Sequence, residues 1–393
     1  MAFPHTLRLL IAGILALPAL LVLVTVAPFL MLLSIPSLTI LVRRKRSFFP
    51  SFAPRQRSND NNHSDATAAA SKTHPLLQHA VITGGSSGIG LSIALELAKR
   101  SCRHITLVAR KEGQLADAKR LVEEAAASAE STASVRIVSV DVTDFAALEE
   151  AVANLCGAAN ATNKTPVGSP TLLFNCAGYS IPLAFEDLTP SNFRSQVDVN
   201  YLGSVHVVKA FLPYMTDPQH VGGNIILTSS MSGQAGTFGY CGYSPTKFAL
   251  RGFAECLSME LAAKKSSVNI SLAYPPDTNT PGYEIENQSK PEACRLISEG
   301  SGIWDPAVVG KKMVNEALSS DPSFDIYFGL DGWMLSMLTS GMNPVTSVVD
   351  AICQVTLMGL LRFISLFYLM DFGRITQNCH DAKKMPKDSS KDD

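Results

Sequence analysis

The sequence is short of charge. Of its 393 residues, 17% are Asp, Glu, Lys or Arg, against about 25% in an average globular chain. Net charge is −1, which excludes the broad basic face that nucleic acid binding requires. The eight cysteines form no CxxC pair, and no His/Cys cluster has the spacing of a zinc site. Reduced thiols in a cytosol-facing domain fit this scatter better than a disulfide framework does. No metal is expected. A short internal repeat is also lacking, and the first apolar run has its basic cluster after it, the reverse of the order in a secretory signal peptide.

The missing charge is concentrated at the two ends. Residues 9–42 form one apolar run, broken only by Pro18, Pro28 and Pro36, and longer than the roughly 20 residues that cross a bilayer. Arg8 precedes it, while Arg43, Arg44, Lys45 and Arg46 follow at once. By the positive-inside rule the second cluster stays cytoplasmic. An uncleaved anchor over 1–46 with a lumenal N-terminus is expected; a shallow hairpin is the alternative. Residues 47–75 are polar, rich in Ser, Asn and Ala, and read as a flexible linker. The tail over 331–393 is apolar again until its basic end, and Arg362 interrupts its richest part. An arginine at mid-bilayer is costly, so this tail reads as a membrane hairpin, an interfacial segment or a lid.

Between these ends, residues 76–330 alternate short apolar strands with helical stretches. QHAVITG, HITLVAR, RIVSVDV, TLLFNCAG, GNIILTSS and VNISLAYP read as six strands, the last ending near 275. LSIALELAKR and QLADAKRLVEEAAAS read as helices. Such alternation predicts an α/β domain with a doubly wound parallel sheet of Rossmann type.

The first strand runs into TGGSSGIG, which places Gly84, Ser86, Ser87, Gly88 and Gly90 between a strand and a helix. Glycines there let the backbone approach a pyrophosphate, and the helix N-terminus faces its charge. The second strand ends at Arg110 and Lys111. A basic residue here suits a ribose 2′-phosphate, where an acid would suit a free hydroxyl, so NADPH is expected. Asp141 closes the third strand, where it can meet an adenine edge, and Asn175 closes the fourth in NCAG. Further along, Tyr243 stands four residues before Lys247 in YSPTK. One helical turn separates them, so both lie on one face, and an ammonium beside a phenol lowers its pKa toward useful acid–base catalysis.

Together TGxxxGxG, NCAG, Asn200 in DVNYLG, Ser230 and YSPTK resemble the short-chain dehydrogenase/reductase superfamily over roughly 78–282. The resemblance implies that Tyr243 gives a proton to a carbonyl oxygen, that Lys247 holds the nicotinamide ribose, and that Ser230 hydrogen-bonds the reacting oxygen. Asn200 would hold a relay water. Ser229 is the second choice to Ser230, since strand alternation sends the two to opposite faces. Cys176 departs from the usual asparagine. The stretch YPPDTNTPGYE at 274–284, with Thr280 near the nicotinamide, and the apolar tail resemble one membrane-bound branch of that superfamily. This implies a sphingoid-base ketone as substrate, the bilayer as partner, and the endoplasmic reticulum membrane with the catalytic domain facing the cytosol. A homo-oligomer is possible on the same grounds. Asp277, Glu284 and Glu286 are acids able to meet the substrate's amine, and each is equally a solvated loop acid. The alternatives are an anchored reductase of a steroid, retinoid or 3-ketoacyl thioester, and a non-catalytic NADPH-binding scaffold.

Overall fold

A computed structural model describes residues 74–157, 168–217, 221–345 and 348–384. The expected N-terminal anchor and almost all of the linker lie outside the described residues.

The sheet has seven parallel strands in the order β3-β2-β1-β4-β5-β6-β7. They are β1 (His79–Thr83), β2 (His104–Ala109), β3 (Ser134–Ser139), β4 (Leu172–Asn175), β5 (Gly223–Thr228), β6 (Val268–Ala273) and β7 (Asp325–Ile326). The sequence pattern shows six of them. Its expectation that the strand ending near 275 is the last is corrected by β7, whose two residues are too few to carry a periodic signal.

Alternation within the strands sends side chains to two separate cores. Ala80, Ile82 and Phe174 pack on one face against Ile93 and Leu97 of α1 (Gly88–Lys99), Leu115 of α2 (Glu112–Ser128) and Met313 of α9 (Pro306–Ala317). Val81, Leu173 and Ile225 pack on the other. There they meet Leu148 of α3 (Phe145–Cys156), Phe211 of α5 (Gly203–Met215) and Leu250 of α6 (Ser244–Ala263). Burial on both faces is why these strands read as continuous apolar runs.

Strand order reverses between β1 and its neighbours β2 and β4. In doubly wound sheets the crevice at the carboxyl ends of the strands beside that reversal holds the ligand. All the motif residues gather there. α4 (Pro190–Gln196) begins with a capping box, Thr189 and Asn192 bonding reciprocally. A single π-helical turn, Val197–Leu202, then joins it to α5. Beyond β6 come α7 (Pro281–Asn287) and α8 (Glu292–Ser298), and after β7 comes α10 (Gly329–Leu338).

The chain ends in α11 (Val348–Lys384), 37 continuous residues. Its stretch Val349–Ala382 is long and apolar enough to cross a membrane. Val349, Val355, Phe363, Leu369 and Met370 are exposed on it, and at about 100° per residue they share one half of its circumference. Leu361 is the one buried residue of this helix among those whose burial is described.

Candidate active site

The glycine loop is shaped by close approach. Gly84 has φ +65°, and a Cβ there would come within 3.0 Å of the Ala177 amide nitrogen. A Cβ on Gly90 would sit 2.4 Å from the Gly84 carbonyl oxygen, so helix α1 can pack this close only without a side chain. Ser87 is the N-cap of α1, yet its side chain makes no capping bond. The first turn therefore keeps unsatisfied amides facing the crevice. A Cβ on Gly88 would meet Thr280 Cγ2 at 3.1 Å, so Thr280 leans on this loop from the far side while its hydroxyl accepts from the Tyr283 amide at the start of α7. This cradle, open to anions and closed to side chains, fits a dinucleotide.

Thr83 locks the loop to β4. Its hydroxyl donates to Asn175 Oδ1 at 2.9 Å and accepts from the amides of Cys176 and Ala177. Asn175 is buried, and its amide donates to the Ser204 carbonyl. Its carboxamide is thus engaged within the protein, and it bears on the crevice by fixing the strand end.

Arg110 is exposed beyond β2, with Nη1 3.5 Å from Asp141 Oδ2. Asp141 also accepts from the amide and hydroxyl of Thr143. Burial pushes its carboxyl up, but the Thr143 bonds and the Arg110 charge outweigh this and hold it below the ordinary range. Both residues line a cleft of about 610 Å³ with Thr143, Asp198 and His206. Lys111 is exposed at the N-cap of α2.

At the other end of the crevice, Tyr243 caps α6 and Lys247 lies in its first turn. Lys247 is buried; Nζ donates to the Thr228 carbonyl at 2.8 Å and lies 5.6 Å from the Tyr243 ring centre. Burial lowers its pKa to about 8. Nζ and Asn200 Oδ1 flank Gly178 from two sides, 3.4 and 3.1 Å from where a Cβ would stand. Asn200 sits in the π-helical turn, and its carboxamide bonds the Tyr179 amide and carbonyl and the Thr246 hydroxyl.

The two serines after β5 part company. The Ser230 hydroxyl stands near enough to the Tyr243 hydroxyl to lower its pKa, and it accepts from the Ser232 amide, capping the short turn that follows. Ser229 is turned away and donates to the Lys247 carbonyl at 3.1 Å.

One expectation is overturned. The sequence suggests a tyrosine acidified by its lysine, but the Tyr243 hydroxyl is raised. Burial is the main cause, the carboxylates of Glu286 and Asp277 add to it, and the Ser230 hydroxyl opposes it. Nor are those two acids solvated. Asp277 and Glu286 each pair with Lys290 at 3.1 Å, and Lys290 is almost wholly buried. Sequence reading gave Lys290 no role, although it opens the stretch KPEACRLISE at 290–299. Glu284 is exposed.

Comparison with known proteins places this geometry. A family model described as short chain dehydrogenase matches residues 78–290. The 3-dehydrosphinganine reductase of Danio rerio is 42% identical over 314 residues, 80% of this chain and 90% of that protein. The 3-ketodihydrosphingosine reductase of Bos taurus is 43% identical over 302 residues, 77% of this chain and 86% of the relative. Among solved structures, a short chain dehydrogenase from Mycobacterium paratuberculosis bound to NAD matches with TM-score 0.54 and 24% identity. It covers 64% of this chain and 96% of its own. An actinorhodin polyketide ketoreductase with NADPH matches with TM-score 0.53 and 22% identity, over 63% of this chain and 94% of its own. At these identities the two structures speak to the fold alone.

Proposed function

The chain belongs to the short-chain dehydrogenase family, and we propose that it reduces 3-ketodihydrosphingosine to dihydrosphingosine with NADPH. The observation that carries the substrate is the extent of the likeness. Similarity to the Danio rerio reductase runs over 314 residues, well beyond the 78–290 that the family model spans. It therefore includes segments outside the shared catalytic domain, where members of one family differ in what they bind.

When bound, the dinucleotide supplies hydride for the carbonyl carbon. The chain's own part is to hold the ketone and deliver a proton. Tyr243 gives its hydroxyl proton to the carbonyl oxygen as the C–O bond becomes single. Ser230, whose hydroxyl stands near that of Tyr243, donates to the same oxygen and stabilises its developing charge. Lys247 holds the nicotinamide ribose. Asn200 positions the segment beside Lys247 and holds the water that returns a proton.

NADPH is preferred over NADH in this reading because Arg110 stands exposed at the end of β2, within reach of a 2′-phosphate, with only a 3.5 Å contact to Asp141. Gly84, Ser86, Ser87, Gly88 and Gly90 form the phosphate cradle, with Asp141, Asn175, Lys111 and Thr280 around it. The apolar surface of α11 supports membrane association. A substrate whose alkyl chain stays in the bilayer suits an enzyme resident there, with roughly 0.8 kcal/mol per buried methylene favouring apolar surroundings. We assign the endoplasmic reticulum membrane, with the catalytic domain toward the cytosol.

The test is NADPH oxidation by the detergent-solubilised full chain. Parallel reactions contain 3-ketodihydrosphingosine, a ketosteroid, a retinal and a 3-ketoacyl thioester, with products identified by mass spectrometry. Turnover confined to the sphingoid ketone is expected. Turnover on another carbonyl alone would discard the substrate while keeping the family.

A further inference from the structure

The ion cluster beside Tyr243 is built as a receptor for an ammonium. Lys290 Nζ lies 3.1 Å from Asp277 Oδ2 and 3.1 Å from Glu286 Oε1. It also stands over two rings, 4.6 Å from the centre of Tyr283 and 5.8 Å from that of Tyr240. Carboxylates and aromatic faces together are the surroundings that select alkylammonium groups. Here they already hold one, and the Lys290 side chain is 1% exposed.

Charge in the cluster does not balance. Two carboxylates face one ammonium, and among the described residues the ion pairs of Asp277 and Glu286 are with Lys290 alone. Both acids keep some exposure, 25% and 17% of their side chains, so one negative charge is uncompensated and partly exposed. The cluster is also joined to the reacting centre. Tyr240 donates its hydroxyl to Glu286, and its ring lies 5.4 Å from the ring of Tyr243.

We propose that Asp277 and Glu286 determine specificity by admitting ketones that carry an ammonium on the carbon next to the carbonyl. This rests on the reading of the site as a sphingoid-ketone reductase and adds which residues read the amine. In such a substrate the ammonium and the carbonyl sit on adjacent carbons. A carbonyl oxygen at Tyr243 therefore brings the ammonium toward the unbalanced carboxylates. Its arrival also offsets the carboxylate charge that adds to the effect of burial on the Tyr243 hydroxyl. A ketone of equal chain length without the amine leaves that charge in place.

The experiment compares two substrates on one preparation of the full chain. These are 3-ketodihydrosphingosine and the 1-hydroxy-3-ketone of the same length lacking the amine, each in detergent with NADPH. Because the readout is a ratio of kcat/KM values, the folded fraction cancels. The wild-type chain is expected to prefer the amino ketone by roughly tenfold or more, as a charge-assisted contact warrants. Asp277→Asn and Glu286→Gln should each shrink the ratio, chiefly by raising KM for the amino ketone. Lys290→Met keeps both carboxylates, and the preference should persist or widen. Equal use of both ketones by the wild-type chain would overturn the inference and leave the proposed function standing. So would an unchanged ratio in the carboxylate variants, or a collapse in Lys290→Met equal to theirs. Turnover of neither ketone would instead fall on the proposed function itself.

Discussion

The Ser230 side chain faces the Tyr243 hydroxyl and lowers its pKa, across thirteen residues of sequence and from a different element. Its neighbour Ser229, identical in side chain, is buried and donates to the Lys247 carbonyl instead. Replacing each serine in turn therefore separates chemistry from support. Ser230→Ala should lower kcat roughly 10²-fold, the usual cost of one donor at a reacting oxygen, with a melting temperature close to wild type. Ser229→Ala should lose about 1 kcal/mol of stability with one hydrogen bond and keep kcat within a few-fold. Steady-state kinetics beside thermal melts decide it, and the reverse pattern would exchange the two roles.

Tyr243→Phe removes one oxygen and little else. Turnover should fall by at least about 10²-fold, while NADPH affinity, read by fluorescence titration, stays within a few-fold. Wild-type turnover in this variant would end the proposed mechanism.

The lowered pKa of Lys247, about 8, gives the reaction a sign with pH. The ammonium exists below that value and is lost as pH rises through it. Because kcat/KM for NADPH reports the free enzyme, it should decline above about pH 8, the value set by burial of Lys247. A flat profile from pH 7 to 10 would show that the Lys247 charge does not hold the cofactor.

Arg110→Asp reverses the charge at the end of β2. The ratio of kcat/KM for NADPH over NADH should drop by about tenfold or more, since one charge-assisted phosphate contact is lost and a repulsion gained. An unchanged ratio would move the 2′-phosphate site elsewhere.

Gly90→Ala tests the close approach of α1. Its Cβ would stand 2.4 Å from the Gly84 carbonyl oxygen, so loop and helix must separate. Overpacking of this kind typically costs about 1–3 kcal/mol. A lower melting temperature and weakened NADPH binding are expected together; Gly113→Ala, with nothing near the added carbon, serves as the control.

Much of the fold is local in origin and could be read from the sequence. Strands such as His79–Thr83 carry their own apolar runs, and helix α2 carries its own periodicity. The glycine loop follows from strand, glycines and helix in direct succession. β7 could not be read this way. It is two residues long and exists because Leu272 and Ala273 of β6 present open backbone groups for it to pair with.

The same division runs through the site. Sequence by itself determined that a glycine cradle follows β1, that Arg110 and Asp141 end neighbouring strands, and that Tyr243 and Lys247 share one helical face. Each depends on spacing within a single element, and spacing is a property of the chain. Tertiary structure alone decided which serine meets Tyr243, that Asp277 and Glu286 enclose Lys290, and that burial raises the Tyr243 hydroxyl despite the lysine nearby. Those outcomes depend on distances between side chains brought together by different elements and on how much water their packing removes. Electrostatic energies follow both quantities steeply, and neither is written in the order of residues.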